Sequence, residues 1–361
     1  MALQSSGAIS LNDINIEFAR GSGTSVSLSQ LYRGGGIVGP NNTNVPTSGA
    51  ISLSNFYGAL RRTTASYTYN TNVANAVLNS SSIPGYVSGV TDLTINIPAG
   101  VVLYSSVATS PGLQIGAFAA GDTITIQNYG TIAGMGGNGG GFGGYPGGNM
   151  ASYAALDLTP TNASVTVNNY STGKIHGGGG GGGAGRSISI SYPYGYSYAT
   201  TRVAGGGGGG GAGYAAGSGG PALGVSDGYG PSNYYFNAAA GSNGTTGDSN
   251  TATGGAGGTG AYGHWYGVSP NYYIRGGGGG AGGAKGAAGS SGNNAEFSGQ
   301  DWGTAGAISS GPQSIPYTPG GVVTPQYDAG SGYPGGNAIR GTGKLASPVS
   351  NSGSILGPQV A

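Results

Sequence analysis

Residues 165–183 read VTVNNYSTGKIHGGGGGGG and contain both patterns on which the fold depends. The first half alternates apolar and polar residues, breaks at Asn168-Asn169 and resumes as a short apolar stretch. Such alternation is typical of a strand with one buried face, and asparagine tolerates the left-handed backbone of a tight corner. The second half is an uninterrupted glycine tract. The segment therefore joins β-type sequence directly to glycine-rich sequence.

The β-type phrase occurs again at 126–134 and 349–357. Each copy consists of a strand, an asparagine-centred turn, a short strand and a glycine, which is what one coil of a β-solenoid requires. Residues 93–97 and 123–128 also alternate, with turn sequences between them. We predict mostly β and irregular structure, with a β-sandwich or β-solenoid in a middle domain at 61–133.

Glycine accounts for 84 of the 361 residues, and only 6% of the residues are charged. Such a composition often accompanies disorder, but the 25 Tyr, 6 Phe and 2 Trp favour an ordered chain. Glycine runs with three residues per turn can pack closely and exchange backbone hydrogen bonds. Collagen needs glycine at every third position with abundant proline, which the tracts lack. We predict that 134–361 is a block of such helices with exposed loops.

Aromatic and small polar residues fill the insertions between the glycine tracts. Loops rich in Tyr, Trp, Ser, Gly and Asn have the composition of binding loops, because rigid rings give contact area at low entropic cost. Alternatively, the tyrosine rings cover glycine backbone and have only a structural role. The candidate contact residues are Tyr192, Tyr194, Tyr196, Tyr198, Tyr234, Tyr235, His264, Trp265, Tyr266, Tyr272, Tyr273 and Trp302.

Residues 1–60 contain three copies of a short pattern that starts at Ile9, Val26 and Ile51. In each copy a β-branched residue is followed by Ser, Leu, a polar residue and then a second apolar residue. We predict a short strand that runs into a helical turn, capped by the Ser or Asn after the Leu. Units this small must dock onto one another or onto a partner. The module therefore either caps the following domain or attaches the chain to an assembly, with contact candidates Leu11, Ile14, Leu28, Leu31, Leu53 and Phe56.

Composition argues against several classes of function. A net charge of +1 gives no electrostatic basis for binding nucleic acid, and the absence of cysteine excludes thiolate chemistry. No apolar run is long enough to span a bilayer. The first residues lack a basic stretch followed by an apolar one, so we expect synthesis in the cytoplasm without a signal peptide. We predict no cofactor, no metal and no membrane insertion.

Residues suited to catalysis are few and scattered. His176 and His264 each lie beside glycine without the spacing of a triad or a metal site. Glu296 and Asp301 are close enough in sequence to keep a glycosidase pair under consideration, although contact with a sugar fits them better. We therefore predict that the chain is not an enzyme.

Consecutive glycine tracts separated by aromatic loops resemble bacteriophage tail-fibre tip adhesins. Residues 93–100 and 126–132, followed by a glycine tract, resemble a domain of phage tail-tip and fibre proteins, and 46–58 resemble short modules of phage virion proteins. The resemblance covers about residues 46–361. It implies packed polyglycine II helices, loops that touch host receptors, and a place on the tail fibre or tail tip of the virion.

The resemblance also implies two partners: other virion proteins, bound through the N-terminal region, and a host surface glycan or outer-membrane protein. The N-terminal repeat does not match the fibre-binding segment of the T-even adhesin. Two other functions remain open. One is a structural virion component, such as a capsid fibre or baseplate protein, that binds no receptor. The other is a glycan-cleaving spike.

Overall fold

The structure, a computed structural model, describes residues 3–39, 42–107, 109–140, 154–194, 197–203, 206, 208–221, 224–225, 236–237, 239–246, 253–258, 262–265, 272–275, 279–299, 306–308, 313–314, 322–327 and 331–361. Strands and irregular backbone dominate, as the sequence predicts. The helical segments are α1 (Leu11–Glu17), α2 (Leu28–Leu31) and 3-10 turns at Leu53–Phe56, Ser80–Ser82 and Thr342–Lys344.

The strands are numbered in chain order. Those before the long glycine tract are β1 (Thr63–Thr68), β2 (Val73–Ala74), β3 (Ala76–Leu78), β4 (Thr91–Ile97), β5 (Val102–Tyr104), β6 (Leu113–Ile115), β7 (Thr123–Asn128), β8 (Thr131–Ala133), β9 (Leu156–Asp157), β10 (Ser164–Asn169) and β11 (Lys174–His176). Those between glycine tracts are β12 (Ser187–Tyr194), β13 (Ser197–Val203), β14 (Gly224–Val225), β15 (Phe236–Asn237), β16 (Tyr262–Trp265), β17 (Tyr272–Arg275), β18 (Ala295–Gly299), β19 (Gly306–Ile308), β20 (Gln313–Ser314) and β21 (Val322–Tyr327). The last are β22 (Ile339–Arg340), β23 (Ser350–Asn351), β24 (Ser354–Leu356) and β25 (Gln359–Val360).

Three parallel five-stranded sheets form a β-solenoid. Their strand orders are β1-β4-β7-β10-β23, β2-β5-β8-β11-β24 and β3-β6-β9-β22-β25. The chain visits the three sheets in turn, so each strand triplet is one coil. Of the two predicted architectures, the parallel pairing therefore selects the solenoid over the sandwich.

The solenoid extends beyond the predicted boundary at residue 133. Its third, fourth and fifth coils use strands from 156–176 and 339–360. The repeated phrases at 165–177 and 349–357 belong to these coils, although most of the glycine-rich sequence lies between them. The glycine block is thus inserted into the solenoid, between β8 and β9 and between β11 and β22, rather than following it.

Stacked aliphatic side chains form the solenoid core. Leu93, Ile124 and Val165 occupy equivalent positions in successive coils and are at most 2% exposed. Inward and outward residues alternate along β4, as the period-two pattern predicts. Each coil thus covers the apolar residues of its neighbour.

A ladder of asparagines marks one corner of the solenoid. Asn128 Nδ2 donates to Asn169 Oδ1 at 2.7 Å, and Asn169 Nδ2 donates to Asn351 Oδ1 at 2.8 Å. These bonds link neighbouring coils, and Asn169 Nδ2 also donates to Gly173 O of its own corner at 3.3 Å. A Cβ on Gly173 would lie 2.4 Å from Asn128 O, so glycine is required where the coils approach here.

The N-terminal module has its own small core. Ile14, Leu31 and Phe56 are at most 1% exposed and pack in one cluster. The predicted helical turns are present, but the described residues before them form no strand. The predicted caps are wrong, because the N-cap is the Ser before each Leu and not the residue after it. The Ser side chain accepts from the backbone N–H of the third helical residue, whose side chain accepts from the backbone N–H of the Ser.

Arg62 ties the end of the module to the first coils. Its Nε donates to Asp92 Oδ2 at 2.7 Å, and its Nη1 donates to Gly121 O at 2.9 Å. Burial raises the pKa of Asp92, but hydrogen bonds from Arg62 and Thr123 and the Arg62 charge outweigh burial and hold that pKa below its ordinary value. The segment that follows the module is thereby fixed to the second and third coils of the solenoid.

Candidate functional site

The glycine tract after β11 bonds to neighbouring glycine runs in steps of three residues. Gly179 and Gly182 N–H donate to Ala212 O at 2.6 Å and Gly209 O at 2.8 Å. The acceptor number falls by three as the donor number rises by three. The run at 206–213 is therefore antiparallel to 177–186.

The run at 287–293 also lies beside the 177–186 tract, and here the two chain directions are the same. Gly180 and Gly183 N–H donate to Ala287 O and Ser290 O, each at 2.9 Å. Donor and acceptor numbers rise together, so these two runs are parallel. Neighbouring runs are related by the same three-residue step.

These registers give a direction to each described run. Runs 134–140, 177–186, 215–220, 253–258 and 287–293 lead away from the solenoid. Runs 206–213, 239–245, 279–283 and 331–336 lead back to it. In the sequence, the segments 187–205, 222–238, 259–278 and 294–330 each follow an outgoing run and precede a returning one, so their described strands belong to the end of the block away from the solenoid.

In glycine runs at the surface of the block, such as 279–283, burial also repeats every three residues. Gly280 and Gly283 are buried, whereas Ala281 between them is exposed. At Gly182 there is no room for a side chain, because a Cβ there would lie 2.0 Å from Gly280 O. Glycine is therefore required at the buried position of each turn, and alanine is accommodated at the exposed one.

All twelve aromatic candidates lie in the four far segments. Seven of them are in described strands: Tyr192, Tyr194, Tyr198, His264, Trp265, Tyr272 and Tyr273. The other five lie outside the described residues: Tyr196, Tyr234, Tyr235, Tyr266 and Trp302. The chain direction thus brings residues that are distant in sequence to one end of the block.

Strands β16, β17, β18 and β19 pair in that order, and their register divides the residues between two faces. Residues directly opposite one another in an antiparallel pair share a face, as do alternate residues in one strand. The polar face carries Tyr262, His264, Tyr273, Arg275, Glu296 and Ser298. The apolar face carries Trp265, Tyr272, Ile274 and Phe297.

The sheet β13-β12-β21-β20 has the same two-sided character. Its more apolar face carries Ile188, Ile190, Tyr192, Tyr194, Val203 and Val323, with Ser197, Thr201 and Gln313 among them. Its more polar face carries Ser189, Ser191, Tyr198, Thr200, Arg202 and Thr324, with Pro193 and Val322 among them. Strand β21 comes from the last far segment and β12 from the first, so this sheet joins two loops that are separate in the sequence.

Sequence reasoning did not identify Arg275 and did not place Glu296 beside the aromatic candidates. Arg275 and Glu296 are in register across β17 and β18, on the same face as Tyr273. The alternation of Tyr273 and Arg275 in the sequence is compatible with a shared face. The pairing of β17 with β18 could not be read from it, because about twenty residues separate the two strands.

The six N-terminal candidates divide equally by burial. Ile14, Leu31 and Phe56 form the core of the module and are therefore inaccessible to a partner. The three leucines are exposed, by 44% at Leu11, 59% at Leu28 and 40% at Leu53. Of the six, only these leucines remain candidates for contact with an assembly.

The structure locates two of the titratable residues considered in the sequence, His176 and Glu296. His176 is fully buried in the solenoid, with Nε2 at 3.0 Å from Ser354 Oγ, so it cannot belong to a contact surface. Glu296 is in β18, whereas Asp301 lies outside the described residues. Among the residues whose placement is described, no group of three or more His, Cys, Asp or Glu could hold a metal ion, and no helix is long and apolar enough to cross a membrane.

Comparisons with known proteins point in one direction. The sequence model of the family described as phage tail fibre adhesin Gp38 matches residues 62–358. No curated protein sequence matches. One similar solved structure is the gp37-gp38 adhesin tip complex of the bacteriophage S16 long tail fiber, with 17% identity over 99% of this chain and 100% of the other. Its TM-score of 0.32 does not establish a shared fold.

Proposed function

This chain belongs to the phage tail fibre adhesins, and we propose that it binds the host surface through residues at the far end of its glycine block. The family makes the chain a host-attachment protein of the virion. What we propose beyond the family is the location of the surface that contacts the host. The observation that supports it is the direction of the glycine runs, which puts the seven described aromatic candidates at the end away from the solenoid.

The glycine runs act as the rigid support of this surface, as packed polyglycine II helices. The three-residue step in hydrogen bonding and in burial supports this assignment, because polyglycine II has three residues per turn. Gly177 to Gly182 would each place a Cβ within about 2 Å of a neighbouring backbone oxygen. A block held by main-chain bonds on several sides can present loops without a large side-chain core.

The polar faces of the two sheets form the host contact, and the apolar faces hold the sheets to the rest of the protein. A sheet with one apolar and one polar face buries the apolar one. Tyr198, His264 and Tyr273 then belong to the contact, together with Arg275. Tyr192, Tyr194, Trp265 and Tyr272 instead fit the covering role that the sequence also allows. The five remaining aromatic candidates, Tyr196, Tyr234, Tyr235, Tyr266 and Trp302, stay candidates for contact.

The ligand is a host surface glycan or an outer-membrane protein. Tyrosine, histidine and arginine donate hydrogen bonds to hydroxyl and carboxylate oxygens, which both ligands offer. The chain itself is not an enzyme in this proposal.

The proposal is tested with the purified full-length chain and host cells. The wild type should bind the cells and block adsorption of the phage, whereas Tyr273→Ala and Arg275→Ala should weaken binding at unchanged melting temperature. Trp265→Ala is the matched control from the opposite face, and it should lower the melting temperature. Exchange of 187–203 and 261–275 for a relative's segments should change host range.

Three results would count against the proposal. Stable wild-type protein that binds no host cell would indicate a structural virion component instead. Normal binding by Tyr273→Ala and Arg275→Ala, with lost binding by a stably folded Trp265→Ala, would assign the contact to the other face. Unchanged host range after the segment exchange would remove the loops from recognition. Digestion of the cells with glycosidases or with protease separates the two ligand classes.

A further inference from the structure

The outer face of the first solenoid sheet, β1-β4-β7-β10-β23, is open to solvent. Its outward residues are half-buried or exposed along each of the five strands. Outward positions of the other two sheets are covered, because Ala133 and His176 in the second sheet and Asp157 in the third are at most 1% exposed. Of the three faces, this one is therefore the most accessible to another molecule.

Small polar side chains form regular columns on this face. The strand register places the hydroxyls in one column and the side-chain amides in the next: Thr94, Thr125 and Thr166, then Asn96, Gln127 and Asn168. Neighbouring strands of a sheet are about 4.8 Å apart, so each column offers one polar group per coil at that interval. A polymer with regularly repeated hydroxyl groups matches such columns.

The protein itself leaves most of these groups unused. Across the part of the chain that the structure describes, the hydroxyls of Thr94, Thr125 and Thr166 and the amides of Gln127 and Asn168 form no hydrogen bond with protein. The corner asparagines next to them are different, since their amides bond one another in the ladder. Amides and hydroxyls both donate and accept, so the columns can exchange hydrogen bonds with a ligand in both directions.

Two tyrosines form an aromatic rim beside the amide column. Tyr129 and Tyr170 come two positions after Gln127 and Asn168, and their rings stack with centroids 4.1 Å apart and 1° between the planes. Tyr129 remains 40% exposed. The equivalent position in the fifth coil is Ser352, which is exposed and too small to extend the stack. The stack therefore ends at Tyr170 with a ring turned towards the fifth coil.

This combination of groups suits a neutral carbohydrate. The apolar C–H face of a sugar ring packs on an aromatic ring, and its hydroxyl groups bond amides and hydroxyls. The charged residue among the outward residues of the sheet is Asp92, and Arg62 pairs with it at 2.6 Å. The face thus offers an acidic ligand no cation of its own. It also lacks the apolar centre that a stable protein interface requires.

We propose that the outer face of this sheet binds a neutral polysaccharide chain of the host surface. Tyr170 stacks on a sugar ring, and Gln127 and Asn168 bond its hydroxyl groups. The site lies on the side of the solenoid and is separate from the loops at the far end of the glycine block. It takes from the proposed function only that the chain meets the host surface. Weak binding here would raise the effective concentration of the loops near their own ligand.

The first test uses polysaccharide extracted from host cells, cleared of protein and lipid, and divided by anion exchange into a neutral and an acidic fraction. Binding to the purified full-length chain is measured by isothermal titration calorimetry. The wild type should bind the neutral fraction. Gln127→Ala, Asn168→Ala and Tyr170→Ala should each weaken this binding by about fivefold, the effect of one lost hydrogen bond or ring contact.

A blocking variant and a matched control make the test sharper. Thr125→Arg places a long side chain in the middle of the face and should abolish binding of the neutral fraction. Ser81→Arg adds the same group at an exposed position of the turn Ser80–Ser82, outside the sheet, and should bind as the wild type does. Melting temperatures show whether each variant is folded, and Gln127→Ala keeps the test decisive if Thr125→Arg is not.

The outcomes separate this site from the loops. Tyr273→Ala and Arg275→Ala should bind the neutral fraction normally, so lost binding there would assign the polysaccharide to the loops and overturn the proposal. Failure of the wild type to bind, binding of the acidic fraction alone, or normal binding by folded Thr125→Arg would also overturn it. None of these results affects loop recognition, which is measured on intact cells.

Whole virions provide a check on access to the face. Hydroxyl radicals should label Tyr129 and Tyr170 to the same extent on the particle as in the free chain. Protection of both rings on the particle would mean that another virion protein covers the face, and the proposal would then be wrong.

Discussion

Replacing Gly182 by alanine should destabilise the glycine block strongly. An ideal Cβ there would lie 2.0 Å from Gly280 O and 2.7 Å from Ala281 O, whereas contacts below about 3.0 Å are essentially never observed. The runs must separate by roughly 1 Å to admit the methyl group. Gly182 N–H also bonds Gly209 O at 2.8 Å, so movement away from one neighbour disturbs another.

The expected cost is about 3 kcal/mol, at the upper end of the usual range for overpacking, because backbone cannot rotate away as a side chain can. For a unit of some 150–250 residues this corresponds to a fall of roughly 6–12 °C in melting temperature. Differential scanning calorimetry of the full-length chain measures it. The matched control is Gly343→Ala, because a Cβ there would meet nothing within 4 Å.

A second control tests the exposed position of the same lattice. Ala281→Gly removes an exposed methyl group and should change stability by less than about 1 kcal/mol, through backbone entropy alone. If Gly182→Ala melts within about 1 °C of the wild type, the close approach of the runs is wrong. If Ala281→Gly is as damaging as Gly182→Ala, burial does not alternate as described.

The remaining predictions concern the solenoid, the module junction and the titratable groups. Asn169→Ala should lower the free energy of unfolding by about 2–4 kcal/mol, because it leaves the amides of Asn128 and Asn351 without their ladder partner; an unchanged urea midpoint would refute this. The pKa of Asp92 lies below its ordinary value, so its contribution to stability is complete above about pH 4 and is lost as the pH falls through the folded-state pKa. As the pH is lowered below about 4, the melting temperature of the wild type should therefore fall more steeply than that of Arg62→Gln. Equal slopes would contradict the stabilising role of the Arg62–Asp92 pair. Any change in host binding between about pH 6 and 8 should disappear in His264→Asn, because His264 lies on the proposed contact face whereas His176 is buried; a change that persists in this variant would contradict the placing of His264 in the contact. Neither the wild type nor Glu296→Gln with Asp301→Asn should release reducing ends from host polysaccharide, and release by the wild type alone would make the chain an enzyme.

Local patterns in the sequence predicted the solenoid strands well. The alternation at 93–97 and 123–128 matches β4 and β7, because each strand has one face in a continuous core. The recurring asparagine phrase identified the coils. It did not reveal that β11 and β22 complete one coil, because a short strand such as Ile339–Arg340 has too few residues to show alternation.

The candidate site was only partly predictable for a similar reason. Aromatic composition located the loops, and chain direction then placed them at one end. Trp265 and Tyr273 fall on opposite faces of one sheet through the register of β16 with β17, and Glu296 joins the face of Tyr273 through the pairing of β17 with β18. The second pairing joins strands about twenty residues apart, which no local pattern encodes. In the N-terminal repeats the buried and exposed apolar residues look alike in the sequence, and only the packing of the module distinguishes Leu31 from Leu28.

The insertion of the glycine block within one coil has a consequence for synthesis. On the ribosome, β11 emerges well before β22, so the fourth coil of the solenoid cannot close until residues 177–338 have been made. The nascent chain must hold an unfinished solenoid edge exposed throughout that interval, and such edges favour wrong pairing between chains. Polypeptides halted within the glycine block should accordingly aggregate, and production of the protein should depend on helpers that shield this edge until the last coils arrive.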